Sequence, residues 1–241
     1  MTETLMTVQG ISKCFAPRWV LRDVNFTVRQ GEALGLIGPN GAGKTTLFEC
    51  LAGLSPADAG TLSYQNQSLS AAHRQKALFY LPDGIAPWAA QTVRWALRFF
   101  EKLYRTSKTN ADELAQELKL EHLLSSRIGS LSKGERKRLL LALGLLTPQP
   151  LLMLDEPFDG LDLRQTRDVM ALLRRHADAG RTLMLSIHQL TDAARVCDRL
   201  VLLSEGNVVG EGTIDELRSQ ARLNENEIPQ AGLEEIFLAL T

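Results

Sequence analysis

The chain has 241 residues, 44% hydrophobic and 23% charged, a composition typical of a globular protein of one or two domains with a substantial core. With 27 Lys and Arg against 28 Asp and Glu, its formal net charge of −1 argues against a basic nucleic-acid binder or a polybasic membrane-surface protein. Its 3 cysteines have no metal-ligand spacing and indicate a reducing compartment. The longest apolar run, 139–146, is far shorter than the ~20 residues of a membrane-spanning helix, and the N-terminus lacks a secretory pattern.

The first third of the chain predicts strands that lead into a helix. Val24, Phe26 and Val28 alternate with polar residues, as in a half-buried strand. Residues 33–37 are almost wholly apolar, as in a strand covered on both faces. A glycine-rich turn follows, and helical spacing then predicts a helix over 44–52.

The middle third predicts helices and the last third alternates strands with helices. Residues 84–146 form a predicted helical insertion, whose second helix starts with a capping-box-like pair, Asn110 and Glu113. Later patterns predict buried strands at 151–154 and 182–187, a helix between them, and a hairpin at 199–209. A short helix capped by Thr213, a polar connector over 224–232 and a short amphipathic end at 233–240 complete the prediction.

A phosphate-binding pattern follows the first buried strand. The segment GPNGAGKT fits G-x-x-x-x-G-K-[ST], in which glycines let the backbone and the helix N–H groups surround a phosphate. Lys44 supplies positive charge to the outer phosphates, and the Thr45 hydroxyl suits Mg²⁺. The alternative, a plain glycine-rich turn, is disfavoured by this Lys-Thr pair. The candidate binding residues are Gly38, Pro39, Asn40, Gly41, Ala42, Gly43, Lys44, Thr45 and Thr46.

Two acids end the next predicted buried strand. Open α/β sheets bind ligands at the carboxyl ends of their strands, which is where Asp155 and Glu156 fall. Asp155 is a candidate Mg²⁺ ligand, and Glu156 a candidate catalytic residue that polarises an attacking water. The alternative is a strand that ends in two solvated acids, which the phosphate-binding pattern disfavours.

A third motif gives a family resemblance. Leu131, Ser132, Lys133, Gly134 and Glu135 resemble the LSGGQ signature of ABC ATPases, and the three motifs stand in that family's order. The resemblance implies that this motif contacts the γ-phosphate of ATP bound to an opposite subunit, whereas the ordinary alternative is a helix-capping box. Lys133 and Glu135 depart from the consensus, and Lys133 either adds a phosphate contact or is solvated.

The resemblance assigns roles to four further positions. His188 is similar to the switch histidine that senses the γ-phosphate, or is structural. Asp162 resembles the D-loop acid that lies across the dimer, or is a helix N-cap. Phe15 resembles the adenine-stacking aromatic, or is an ordinary strand aromatic. Asp83 stands where the family usually has Gln, either as a metal ligand beside Thr45 or as part of a turn.

The resemblance implies an α/β fold. Its expected core is a P-loop NTPase of the ABC ATPase type, with an antiparallel β subdomain and a helical subdomain. It implies one domain over 1–241, with the helical subdomain at about 84–146 and a C-terminal tail at about 213–241. ATP and Mg²⁺ are the implied cofactors. The implied partners are a transmembrane permease subunit and a second ATPase subunit, predicted as a homodimer, with no nucleic acid.

The function so implied is an ATP-hydrolysing motor of an ABC transporter, of exporter type, peripheral on the cytoplasmic face of a membrane. Two alternatives remain open. Soluble ABC ATPases of translation or DNA repair usually carry two ATPase domains or long coiled-coil insertions, which this sequence lacks. A nucleotide-gated clamp without catalysis is opposed by Glu156 and His188 and kept open by Asp83. Trp88 and its neighbouring aromatics are either core or a groove for a helix of the membrane partner.

Overall fold

The computed structural model describes residues 3–85, 87–104, 110–221 and 233–240, so the whole of the predicted connector at 224–232 lies outside the described residues. The strands are β1 (Thr4–Phe15), β2 (Arg18–Arg29), β3 (Ala33–Ile37), β4 (Ala59–Tyr64), β5 (Gln67–Ser68), β6 (Leu78–Leu81), β7 (Leu151–Asp155), β8 (Thr182–Ile187), β9 (Arg199–Ser204) and β10 (Asn207–Gly212). The helices are α1 (Lys44–Ala52), α2 (Arg74–Ala77), α3 (Val93–Leu103), α4 (Ala111–Glu117), α5 (Lys133–Leu145), α6 (Leu163–Asp178), α7 (Leu190–Val196), α8 (Ile214–Gln220) and α9 (Leu233–Leu240).

Two sheets organise these elements. The larger has the order β10-β9-β3-β8-β7-β6, and all its strands are parallel except β10, which pairs antiparallel with β9. The smaller is antiparallel, with the order β2-β1-β4-β5. The predicted α/β core with an antiparallel β subdomain is therefore confirmed.

The parallel sheet lies between two apolar layers, because alternate residues of each central strand point to opposite faces. In β7, Leu151 and Met153 pack in the layer that holds α1 and the antiparallel sheet. Leu152 and Leu154 pack in the layer of α5 and α6. Burial on both faces explains why β3, β7 and β8 are nearly continuous apolar runs. The carboxyl ends of these strands meet at one edge of the sheet, and the candidate site forms there.

Helix α5 joins the helical region to the parallel sheet. It contacts α3, α4 and β6, and Gly144 near its end lies against Leu152. Its N-cap is Ser132 in a reciprocal capping box with Glu135, as the sequence predicts. The predicted box at α4 is wrong in one detail, because the Asn110 side chain accepts from the N–H of Asp112. A carboxamide at the N-cap reaches either of the N2 and N3 amides.

Four aromatic residues on α3 and in the turn before it form an aromatic patch: Trp88, Trp95, Phe99 and Phe100. The Trp88 ring centroid lies 5.7 Å from that of Trp95 and 5.8 Å from that of Phe99. Trp95 and Phe99 stack at 5.1 Å. Phe100 is buried, whereas Trp88 in the preceding turn keeps 41% of its surface exposed. Among the described residues, no helix is both long and apolar enough to cross a membrane.

A candidate ATP site at the edge of the parallel sheet

Two positions of the loop between β3 and α1 have room for glycine but not for a residue with a Cβ atom. A Cβ atom at Gly38 would lie 2.2 Å from the carbonyl oxygen of Leu203. Gly43 has φ 106°, a left-handed conformation, and a Cβ there would lie 2.9 Å from the carbonyl oxygen of Val20. The loop leads directly into the first turn of α1. The free N–H groups at the N-terminus of this helix form an anion-binding site.

Lys44 lies under this loop. Its side chain is 7% exposed, and its Nζ donates to the carbonyl oxygens of Gly38 at 2.7 Å and Pro39 at 3.3 Å. The same Nζ lies 3.8 Å from Glu156 Oε1. The loop lysine thus forms an ion pair with the acid that directly follows β7.

Asp155 is a buried carboxylate that accepts hydrogen bonds from the hydroxyl groups of three elements. Thr45 Oγ1 of α1 donates to Oδ2 at 2.9 Å, and the Tyr80 hydroxyl of β6 donates to Oδ2 at 3.2 Å. The Ser186 hydroxyl of β8 donates to Oδ1. Burial and the charge of Asp155 raise the pKa of Tyr80, so its hydroxyl keeps the proton that it donates.

The oxygen atoms of Thr45 and Asp155 are suited to bind a Mg²⁺ ion that arrives with a nucleotide. Thr45 and Asp155 offer the hard oxygen ligands that Mg²⁺ prefers. Within the ranges that the structure describes, no group of three or more His, Cys, Asp or Glu residues is arranged to hold a metal. Mg²⁺ is usually held by one or two carboxylates together with waters and substrate phosphates. The small number of protein oxygen ligands here is therefore typical of a Mg²⁺–nucleotide site and not of a site in which the protein supplies every ligand.

Glu156 has an unusual backbone and a well-held carboxylate. Its φ of 47° is left-handed, which costs a non-glycine residue roughly 1–3 kcal/mol. Its N–H donates to Ser186 Oγ at 3.0 Å. Its Oε2 lies 2.7 Å from Nδ1 of His188, which follows β8, so the imidazole donates to the carboxylate. The structure therefore brings both predicted catalytic residues together beside Lys44.

A cavity of about 450 Å³ occupies this edge of the sheet. Arg18 and Val20 of β2, which the sequence did not single out, form one of its walls. The predicted residues that line it are Asn40, Gly41, Gly43, Lys44, Thr45, Thr46, Asp83, Asp155 and Glu156. Phe15 is absent from that lining: it ends β1, is 52% exposed and has Lys13 Nζ 5.2 Å from its ring centroid. Its adenine-stacking role stays a prediction.

Asp83 lies two residues beyond β6 and has a partner that sequence reasoning missed. Its Oδ1 accepts a hydrogen bond from Nζ of Lys137, a buried residue of α5. The same Nζ donates to the main-chain oxygen of Glu156 at 2.8 Å. Gly84 has φ 71°, so the predicted turn is present as well. No spacing rule connects residues 83 and 137, which explains why the pair is invisible in the sequence.

The signature-like motif lies apart from this cavity, and its capping box is formed. Ser132 Oγ accepts from the N–H of Glu135 at 3.3 Å, and Glu135 Oε2 accepts from the N–H of Ser132 at 2.8 Å. The second of these bonds lowers the pKa of Glu135. Lys133 is solvated, the second of its two alternatives, because 61% of its side chain is exposed, and its Nζ also pairs with Asp159 Oδ2 at 2.6 Å.

The remaining predicted residue, Asp162, caps α6. Its Oδ1 accepts from the N–H of Gln165 at 2.8 Å, which is the N-cap alternative weighed for it. It also lines a second cavity of about 400 Å³, which Glu156 and His188 border from the other side. The segment around Asp162 is therefore next to the catalytic candidates, although it does not contact the phosphate-binding loop.

Known proteins are similar to this chain in sequence and in fold. Residues 21–159 match the model of the family described as ABC transporter. The lipopolysaccharide export system ATP-binding protein LptB of Escherichia coli is 32% identical over 221 residues, covering 88% of this chain and 92% of that protein. The Nod factor export ATP-binding protein I of Burkholderia lata is 36% identical over 212 residues, covering 85% of this chain and 69% of that protein.

A solved structure, described as the ATP binding subunit of an ABC transporter, superposes with a TM-score of 0.85 at 31% identity over 98% of this chain and 99% of that one. The chain therefore belongs to the ABC transporter family, as an ATP-binding subunit that hydrolyses ATP to drive transport. The family, fold and ATPase activity that the sequence predicts are confirmed.

Proposed function

We propose that this chain is the motor of an exporter, in which two copies close on two ATP molecules and act on separate transmembrane subunits at the cytoplasmic face of a membrane. The observation that carries the proposal is the Glu156 carboxylate, held between Lys44 and His188 at the mouth of the phosphate-loop cavity. Export is supported by the relatives LptB and Nod factor export protein I, whose names describe export systems.

In this proposal, the loop amides and Lys44 bind the outer phosphates, and Glu156 orients the attacking water. The water oxygen bonds to the γ-phosphorus, its proton passes to Glu156, and the bond to the bridging oxygen breaks to leave ADP and phosphate. His188 keeps the carboxylate turned toward the water through its 2.7 Å contact. Mg²⁺ held by Thr45 and Asp155 supplies charge neutralisation on the phosphates.

The first prediction tests Glu156 as the catalytic base. Glu156→Gln keeps the shape of the side chain but removes the proton acceptor, so phosphate release at saturating Mg-ATP should fall by about 10²–10⁴-fold. Binding of radiolabelled ATP should persist. Glu121→Gln, at an exposed acid of the helical region, serves as the matched control and should retain wild-type turnover. Near-normal turnover of Glu156→Gln would instead favour another base, and absent turnover in the wild type would favour the nucleotide-gated clamp.

The dimer proposal depends on the separation of the two nucleotide-contacting parts. One chain carries the phosphate loop and the signature-like motif in different places, so a second copy completes each site. The N-terminus of α5 carries a partial positive charge that suits the γ-phosphate of the opposite copy. Asp162, at the N-terminus of α6, belongs to the same proposed interface.

The second prediction concerns this closure. Ser132→Arg places a bulky side chain at the proposed contact and should abolish the Mg-ATP-dependent dimer of the Glu156→Gln variant, leaving ATP binding by the monomer intact. Size-exclusion chromatography with light scattering measures it. Ser132→Thr keeps a capping hydroxyl and should still dimerise. A dimer that survives Ser132→Arg would contradict the proposed sandwich.

The third prediction concerns Asp83, which we propose contributes a carboxylate oxygen to Mg²⁺ through a bridging water. Asp83→Ala should then raise the Mg²⁺ concentration that gives half-maximal ATPase activity, and Asp83→Gln should retain much of the activity, because neutral oxygens also suit Mg²⁺. A Mg²⁺ titration at fixed ATP measures both. Half-maximal concentrations equal to that of the wild type would leave Asp83 without a metal role.

The fourth prediction concerns the membrane partner, for which the half-exposed aromatic patch is the proposed contact surface. Trp88→Ala removes the ring that contacts the other three patch residues. The tagged variant should therefore be depleted from the native membrane fraction, while its ATP binding stays normal. Leu54→Ala, which alters a 70% exposed apolar residue outside the patch, is the control and should remain bound. Unchanged recovery of Trp88→Ala would remove Trp88 from this surface.

A further inference from the structure

Lys137 is a buried cation that the conventional motifs leave unexplained. Only 6% of its side chain is exposed, whereas lysine is almost never buried without a partner. Its Nζ has two recorded acceptors, Asp83 Oδ1 and the main-chain oxygen of Glu156 at 2.8 Å. Neither acceptor belongs to α5, so the lysine connects that helix to two segments of the ATP site.

The contact with Glu156 is made to its peptide group and not to its carboxylate. At φ 47°, Glu156 adopts a conformation that L-residues rarely take unless their surroundings impose it. Its N–H is fixed by Ser186 Oγ, and its C=O accepts from Lys137 and, at 3.2 Å, from the N–H of Asp159. The direction of the Cα–Cβ bond, and hence of the carboxylate, depends on these contacts.

We infer that Lys137 is a positioning residue for ATP hydrolysis, which holds the Glu156 peptide in the left-handed conformation that directs its carboxylate toward His188 and Lys44. Asp83 supplies a negative charge that pairs with the ammonium of this buried lysine. A side chain without an acceptor at position 83 would leave the ammonium with the main-chain oxygen of Glu156. The departure from the family pattern at Asp83 is thereby explained by its partner in α5.

The first experiment separates positioning from binding. Lys137→Met keeps the apolar stem and removes the ammonium, so kcat at saturating ATP and Mg²⁺ should fall by about 10–100-fold, the scale of a misplaced catalytic group. The Kd for ATP should stay within about threefold of the wild type, since neither acceptor of the Lys137 ammonium, Asp83 or Glu156, belongs to the phosphate loop. Lys137→Arg retains a donor to both acceptors and should recover most of the lost kcat.

Lys119→Met is the matched control, because Lys119 also forms an ion pair with an aspartate, Asp168, but at an exposed site. It should leave kcat unchanged. An unchanged kcat in Lys137→Met would overturn the inference. A loss of kcat that Lys137→Arg does not restore would also overturn it, and so would an equal loss of kcat in Lys119→Met. Either result would indicate that Lys137 has only a structural role.

A double-mutant cycle tests the role given to Asp83. At saturating Mg²⁺, Asp83→Ala should lower kcat when introduced alone but have little further effect in Lys137→Met, because the two side chains act through one contact. Independent, multiplying effects on kcat would contradict the pairing. If Lys137→Met does not fold, Asp83→Ala carries the test by itself. It leaves the lysine in place, and full turnover of that variant would overturn the inference.

Discussion

The buried carboxylate of Asp155 is the constraint on which the site depends. An ionised group withdrawn from water is tolerated only when hydrogen bonds replace its hydration, and this one receives Thr45, Tyr80 and Ser186 from three different elements. Helix α1 and the strands β6 and β8, which lie on either side of β7 in the sheet, are therefore held in one relative position. Ser186 extends the constraint, since the same hydroxyl accepts the N–H of Glu156 and so fixes the residue next to Asp155.

Features encoded within a short window were predictable from the sequence, and contacts across the chain were not. The bounds of α1 and β8 follow from apolar spacing alone, and the phosphate loop follows from its glycines. Tyr80 and Ser186 reach Asp155 across 75 and 31 positions, a separation that no periodicity marks. Lys133 illustrates the same limit: its residue type predicted phosphate or solvent, whereas the fold places Asp159 beside it. The family resemblance identified the signature but not this partner.

The capping box at α5 is compatible with a phosphate contact. A hydroxyl has one proton to donate and two lone pairs to accept with. The bond from the N–H of Glu135 uses acceptor capacity of Ser132 Oγ and leaves the hydroxyl proton uncommitted to the cap. Helix stabilisation and phosphate binding therefore do not compete for the same atom. The two interpretations of this motif, an ordinary cap and an ABC signature, are therefore compatible with each other at one side chain.

Two lysines one turn apart on α5 contact the catalytic edge, but burial makes them unequal. Lys133 and Asp159 are 61% and 40% exposed, and an ion pair in water contributes about 0–1 kcal/mol. Lys137 is enclosed, so loss of its ammonium would leave the Asp83 carboxylate and the Glu156 carbonyl without their charged donor. Because Ser132 caps the N-terminus of α5, the buried Lys137 contact physically connects the helix that carries the signature-like motif with the segment that follows β7. A shift of α5 relative to the sheet would therefore act on the Glu156 peptide through Lys137.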